Sequence, residues 1–301
     1  MHNYPVSLGL VALLVPLMGL VACGGAGSSA ASPSAQAGDK YPIVLHRDLE
    51  PGKTYRLRVE DESTEHSVTS IAGKVVDEKN TTTLFSLVGS HKTLSAGRYQ
   101  PGEYVIEELT RTTNGDKTAL LPTGSKVSEN LVGKQWQYTV AGKPVSEQAT
   151  KALHALLQDT EGASSDDDIF GSKLPRAIGE SWPVDVHHLP PLDESIVVNP
   201  EGASGSTRLV ALRKLDGVDC LELRGELSVP SMTLKDLPEG AKLLSGGVSG
   251  NFVGMAPVDT NLPSPSVTRT IDVKLKMEVP SPRGAVTVDM TVHNEHSHKR
   301  N

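Results

Sequence analysis

The sequence predicts a mainly β protein: one curved antiparallel sheet, half-barrel-like, with a single amphipathic helix at about 146–158. Three observations carry this. Val267, Ile271, Val273, Leu275, Met277 and Val279 share one parity, with Arg269 the single exception, while Thr268, Thr270, Asp272, Lys274, Lys276 and Glu278 take the other. After a turn at Ser281-Pro282-Arg283-Gly284, Val286, Val288, Met290 and Val292 alternate with Thr287, Asp289, Thr291 and His293. That is a long hairpin with one face buried and one face wet. A second hairpin joins Thr207–Lys214 to Val218–Val229 across Asp216-Gly217, a dipeptide suited to a type I′ turn. Only Ser146–Gln158 departs from period two. The alternative architecture is a two-sheet β-sandwich with that helix as a plug.

In chain order, the first element is an address. Leu20-Val21-Ala22-Cys23 closes an apolar run that begins at Leu8. Leu, two small or aliphatic residues and then Cys is the pattern read by the bacterial signal peptidase that processes lipoproteins. The Cys23 thiol would receive a diacylglyceryl group, and residues 1–22 would be removed. Residues 1–7 hold His2 and no Lys or Arg, which departs from the usual basic start. The run is short and interrupted by Gly9, Pro16 and Gly19, a poor transmembrane helix but a good leader. Two or three acyl chains on one residue hold a protein on a bilayer durably. Residues 24–40 are almost all Gly, Ala, Ser and Pro, a flexible tether reaching about 20–25 Å. Gly24 follows the Cys where an Asp retention signal would stand, so a Gram-negative host would carry the protein on its outer membrane.

The β-rich domain then covers 41–298, in halves 41–145 and 170–298 around the helix. Strand patterns occur at Thr54–Glu60, Glu65–Ile71, Thr82–Val88, Tyr104–Arg111 and Gln135–Val140, and ten to twelve strands are expected in all. Within the helix, Ala149, Ala152, Leu153, Leu156 and Leu157 form an apolar stripe, with Ser146 as N-cap and Glu147 in the first turn. Three Phe and two Trp leave the interior to be lined mainly by Val, Leu, Ile and Met.

Short motifs along 41–297 resemble a family of uncharacterised bacterial surface lipoproteins. They are Pro51-Gly52-Lys53-Thr54-Tyr55, Ala141-Gly142-Lys143-Pro144-Val145 ahead of the helix, Leu174-Pro175, Ile178-Gly179-Glu180-Ser181-Trp182 and Thr260-Asn261-Leu262-Pro263. That family is similar to the half-barrel lipoprotein carriers of the cell envelope. The resemblance implies a curved sheet and helices around an apolar cavity, and it implies no catalytic residues.

The net charge of −7 belongs wholly to the chain beyond residue 22 and includes no basic cluster, which argues against nucleic acid as a partner. With Cys23 lipidated, Cys220 is a lone thiol expected to fill a strand as a small hydrophobe. His293, Glu295, His296 and His298 crowd the C-terminus, but 293 and 295 face opposite to 296 and 298, so a frayed, solvated strand end is expected and no metal site. Asp166, Asp167 and Asp168 read as a solvated loop, and His187-His188, beside Pro190-Pro191, as extended chain whose adjacent side chains point apart and hold no metal. No Gly-x-Ser-x-Gly, phosphate loop or dinucleotide fingerprint is present, so no cofactor and no catalysis are expected. Leu153, Leu156 and Trp182 are the candidate lining of a ligand cavity for a lipid or other apolar molecule. A filled-core interaction lipoprotein and an envelope hydrolase are the other readings. Cys23→Ala is expected to move the protein from membrane to soluble fractions while 41–298 stays folded; a variant still membrane-bound after envelope fractionation refutes lipidation.

Overall fold

The computed structural model describes residues 39–300 apart from 48, 96–100, 133–134, 158–165, 190–195, 236 and 283. Cys23, the residues Leu20, Val21 and Ala22 before it, and the tether up to residue 38 lie outside the described residues. The first half carries β1 (Lys40–Ile43), β2 (Thr54–Ile71), β3 (Lys74–Thr93), β4 (Gly102–Thr113), β5 (Asp116–Ala119), β6 (Lys126–Val132), β7 (Gln135–Val140) and β8 (Lys143–Pro144). Helices α1 (Glu147–Leu157) and α2 (Asp166–Phe170) follow. Next come β9 (Ser172–Ala177), β10 (Ser181–Pro183), a 3-10 turn at Val186–His188, β11 (Ile196–Val198), β12 (Ser204–Leu215) and β13 (Val218–Val229). The chain closes with β14 (Met232–Leu234), β15 (Lys242–Pro257), β16 (Ser266–Val279) and β17 (Val286–Arg300).

Thirteen of these strands form one curved antiparallel sheet that does not close into a barrel. Its order is β10-β12-β13-β15-β16-β17-β2-β3-β4-β6-β7-β8, with β5 paired to β4. The predicted half-barrel-like sheet is what forms, and the sandwich does not. The reason is the β17–β2 ladder, unbroken from Val286↔Ile71 to Arg300↔Leu57, which joins the two halves edge to edge. The pairs β1–β9 and β11–β14 stand as separate small sheets.

The local pattern sets the faces. Along β16 and β17 the register pairs Val273 with Val292, Leu275 with Met290 and Met277 with Val288, and all six side chains are buried. The Asp216-Gly217 turn adopts φ of +50° and +87°, as a type I′ turn requires. Helix α1 lies against β2, β3, β4 and β7. Its Ala149, Ala152, Leu153 and Leu156 are all at most 2% exposed, and the Ser146 hydroxyl accepts from Ala149 N at 3.2 Å, capping the first turn. Over the other half sits α2, whose Phe170 ring stacks on Phe252 with centroids 5.0 Å apart. The neighbouring Gly225 is required there, since a Cβ would come within 2.9 Å of that ring.

Several expectations need correction. Thr54–Glu60 and Glu65–Ile71 are one strand, because β17 and β3 pair with the intervening polar residues on both sides. Six strands of two to four residues, β1, β5, β8, β10, β11 and β14, raise the count to 17 among the described residues. Asp166–Asp168 open α2 instead of a solvated loop: Asp167 accepts from Leu45 N at 2.6 Å and His46 N at 2.8 Å, and Asp166 pairs with Arg269. His187-His188 lie in the 3-10 turn, capped by Asp185. The C-terminal histidines are not frayed, because β17 is paired on both sides, with β16 up to Lys299 and with β2 up to Arg300. The tether ends earlier than expected, since Lys40 already pairs with Ala177.

Leu153 touches the interior on all sides, so Leu153→Ala is expected to cost about 2–5 kcal/mol in denaturant unfolding. Val75→Ala, at a residue 61% exposed near the tip of the β2–β3 hairpin, is expected to change little.

Candidate functional site

The inner face of the sheet is aliphatic at both ends. One cluster gathers Leu57, Val59, Leu87, Ile106, Leu109 and Val127 under α1. A second gathers Val229, Val248, Val273, Leu275, Met277, Val288 and Met290 with Ile169 of α2 and Ile196 of β11. A third holds Trp182 with Ile43, Leu45, Leu209, Leu223 and Phe252.

Between them runs a buried polar row that follows one line of register across the sheet. Phe252 pairs with Arg269, Arg269 with His296, His296 with Asp61 and Asp61 with Phe85. Alternation puts these side chains on the inner face, because each shares parity with apolar neighbours: Asp61 with Leu57 and Val59, His296 with Val292, Arg269 with Ile271. Asp61 is 3% exposed, His296 5% and Asn294 1%. Isolated charges at such depth would be costly, so the row is paired. His296 Nδ1 stands 3.5 Å from Asp61 Oδ2, and the Arg269 guanidinium meets Asp166 of α2. On β3 and β4, the rings of His91 and Tyr104 stack at 4.4 Å. Tyr104 Oη donates to Glu129 Oε2 at 3.1 Å, and His91 Nε2 lies 3.9 Å from Glu129 Oε1.

Burial governs the protonation of this row. It lowers His91 to about 4, with the Arg300 charge adding to the effect. Burial also lowers His296, against the hydrogen bond and charge of Asp61, and it raises Asp61 against the hydrogen bond from His296. His298 is pushed well below the ordinary histidine value by burial, then by Arg300, His296, Arg269 and His91. The imidazoles are therefore neutral donors and acceptors at neutral pH. Some of that capacity is unused: among the described residues, His298 Nε2 has no hydrogen-bond partner. Among the described residues, no group of three or more His, Cys, Asp or Glu is arranged to hold a metal ion.

The residues singled out in the sequence are divided between clusters. Leu153 and Leu156 sit in the α1 cluster, at 0% and 2% exposure. Trp182 is in the third cluster, its indole N–H donating to Phe170 O at 2.9 Å and its ring beneath Arg176. The structure does not bring the three together. Cys220 is fully buried in β13. The sequence reading passed over Asp61, His91, Glu129 and Asn294. The available signal was a polar residue standing in the apolar parity of a strand, noticed only at Arg269.

No protein-family model matches the chain, and no curated protein matches it. Among solved structures, the chain is similar to lipovitellin at 8% identity and a TM-score of 0.32, over 82% of this chain and 25% of that one. It thus spans about a quarter of the lipovitellin chain. It is also similar to Pseudomonas aeruginosa OccK2 (OpdF) in complex with glucuronate, at 9% identity and a TM-score of 0.21, over 80% and 97% of the two chains. The Pseudomonas aeruginosa outer membrane protein OprG follows at 9% and 0.18, over 85% and 98%. Scores this low establish no shared fold, and nothing of those proteins is carried to this one.

The neutral histidines make stability depend on pH with a definite sign. The unfolded chain takes up protons near the ordinary histidine value of about 6.5, whereas folded His91 does so only near 4. Stability is therefore lost as pH falls from about 6.5 toward 4, with His91 alone contributing on the order of 3 kcal/mol. Asp61 acts oppositely, since the penalty of ionising it is relieved as pH falls through its raised value. His91→Phe keeps a ring against Tyr104 and removes the proton site, so its unfolding free energy is expected to fall less steeply over this range. Equal slopes for variant and parent would contradict the assignment.

Proposed function

We propose that this is a lipid-anchored lipoprotein of the cell envelope that holds a lipid or other apolar ligand on the inner face of its sheet and catalyses nothing. The observation that carries the reading is the composition of that face. A single open sheet presents aliphatic residues at both ends of its inner surface, and short elements, α1 on one side and α2 with β11 and β14 on the other, lie over them. Aliphatic side chains impose little directional chemistry, which suits acyl chains better than a rigid polar substrate. The Leu20-Val21-Ala22-Cys23 motif supports the location, and Gly24 after it supports the outer membrane in a Gram-negative host. The motif resemblance to bacterial surface lipoproteins, themselves similar to half-barrel carriers, supports the same reading.

A second reading is a structural lipoprotein whose core is filled by its own side chains and whose outer face meets an envelope partner. It is favoured by the packing of Leu153, Leu156 and Trp182, all at most 4% exposed. The discriminating measurement is mass spectrometry of organic extracts from the purified full chain. A stoichiometric non-covalent lipid is the expected result. A clean extract, repeated after incubation with envelope lipids, overturns the carrier reading in favour of the filled core.

A further inference from the structure

We propose that the outer face of the sheet binds a hard divalent cation, calcium in preference to magnesium, on the side chains of Glu62, Glu295 and Thr270, where the ion ties the two halves together across the β17–β2 ladder. The inference is independent of the ligand proposed for the inner face.

The first support is a pair of like charges. Glu295 of β17 stands directly opposite Glu62 of β2, and both take the outward parity of their strands. Elsewhere on this face an acid is set beside a base: Glu60 with Arg58, Glu108 with Lys117, Asp272 with His293 and Asp289 with Lys276. Among the described residues, neither Glu62 nor Glu295 has an ion-pair partner. Like charges directly opposite across a ladder are destabilising. Burial pushes the Glu295 carboxyl up, and the charges of Glu62 and Glu60 push it further, against His293.

The second support is Thr270 of β16, which pairs with Glu295 from the other side on the same face and is 6% exposed. Its buried hydroxyl has no hydrogen-bond partner. Side chains directly opposite on one face have Cβ atoms about 4.5–5.5 Å apart, so this oxygen lies within reach of an ion held on the Glu295 carboxylate. A buried polar atom with no partner calls for a bound water or a ligand group. A cation gives the hydroxyl its partner and removes the repulsion between the carboxylates together.

The third support is the donor set. All three donors are oxygens, the ligands of hard cations, while the imidazole on the same face, His293, is held by Asp272 at 2.8 Å. Two carboxylates and a hydroxyl leave the remaining positions to water. Calcium accepts six to eight oxygens in flexible geometry, whereas magnesium demands a near-ideal octahedron, so donors from three separate strands favour calcium. Glu62 is exposed, and an open site of this kind belongs in the weak range of extracellular modules, with a dissociation constant on the order of 10⁻⁴–10⁻³ M.

The test is isothermal titration of the chelator-treated full chain with calcium chloride and magnesium chloride, alongside thermal melts in calcium chloride and in sodium chloride of matched ionic strength. One calcium per chain is expected in that affinity range, with magnesium about tenfold or more weaker. The melting midpoint is expected to rise with calcium and not with sodium. Glu295→Gln removes a ligand and the repulsion together, so it is expected to weaken calcium about tenfold or more while raising the calcium-free midpoint above that of the parent. Thr270→Val, checked for folding by circular dichroism, is expected to weaken calcium severalfold. Glu107→Gln, at an outer-face acid already paired with Arg56, is expected to leave calcium binding unchanged. No calcium binding up to about 10 mM, well above the expected range, overturns the proposal. Stabilisation reproduced by sodium chloride overturns it as well, since that is charge screening alone. Calcium binding that Glu295→Gln leaves intact places the ion elsewhere and refutes the site, and magnesium binding as tightly as calcium refutes the choice of ion. None of these results alters the reading of the inner face.

Discussion

The pairing of β17 with β2 is the constraint on which the rest of the molecule depends. These strands come from opposite ends of the described chain, and their ladder runs without a bulge from Val286↔Ile71 to Arg300↔Leu57. Every other large ladder joins strands close in sequence, so each half could assemble its own meander independently. Only the β17–β2 ladder makes them one surface. Without it the sheet would have two more long edges, each a row of unpaired N–H and C=O groups. Among the described residues it is also the most non-local pairing, so it carries the largest loop-closure entropy cost of any ladder.

The polar row is a consequence of that joint. Where the halves meet, the inner face carries Asp61 from one and Arg269, Asn294, His296 and His298 from the other. Asp61 opposite His296 is a register mark: a slip of β2 by one residue would turn Asp61 to the outer face and bring Glu62 or Glu60 inward beside His296. Such pairs contribute little net stability, because desolvation offsets most of the attraction, but breaking one strands a buried charge. The same logic ties α2 to the sheet. Asp166 answers Arg269, Asp167 holds the backbone of Leu45 and His46, and Phe170 rests on Phe252 where Gly225 leaves room. A five-residue helix has little stability of its own. Its shape here is maintained by these contacts.

Much of this was legible in the chain and some was not, for reasons that can be located. The alternation from Val267 to Val292 specified which residues point inward, and the structure buries Ile271, Val273, Leu275, Met277, Val288, Met290 and Val292, leaving Val267, Val279 and Val286 at the strand ends half-buried. Asp216-Gly217 specified a turn, and Ser146 with the Ala149–Leu156 stripe specified a helix, because both depend on residues within a few positions of each other. The reading failed at Asp166–Asp168 and at His296–His298, where polar residues were assigned to solvent by composition. Parity held the contrary information: His296 and His298 fall in step with Met290 and Val292, and Arg269 with Ile271 and Val273.

By itself the sequence determined the local choices: strand or helix, the inward face of each strand, and the turns. It did so because alternation, capping and turn geometry are set by nearest neighbours along the chain. The tertiary structure alone decided that the halves form one open sheet, that Asp61 meets His296, and that a row of histidines lies buried between aliphatic clusters. Alternation states which face a side chain takes but is silent on which strand will stand beside it. That neighbour is selected by the total surface buried and the polar groups satisfied when the ends of the chain come together.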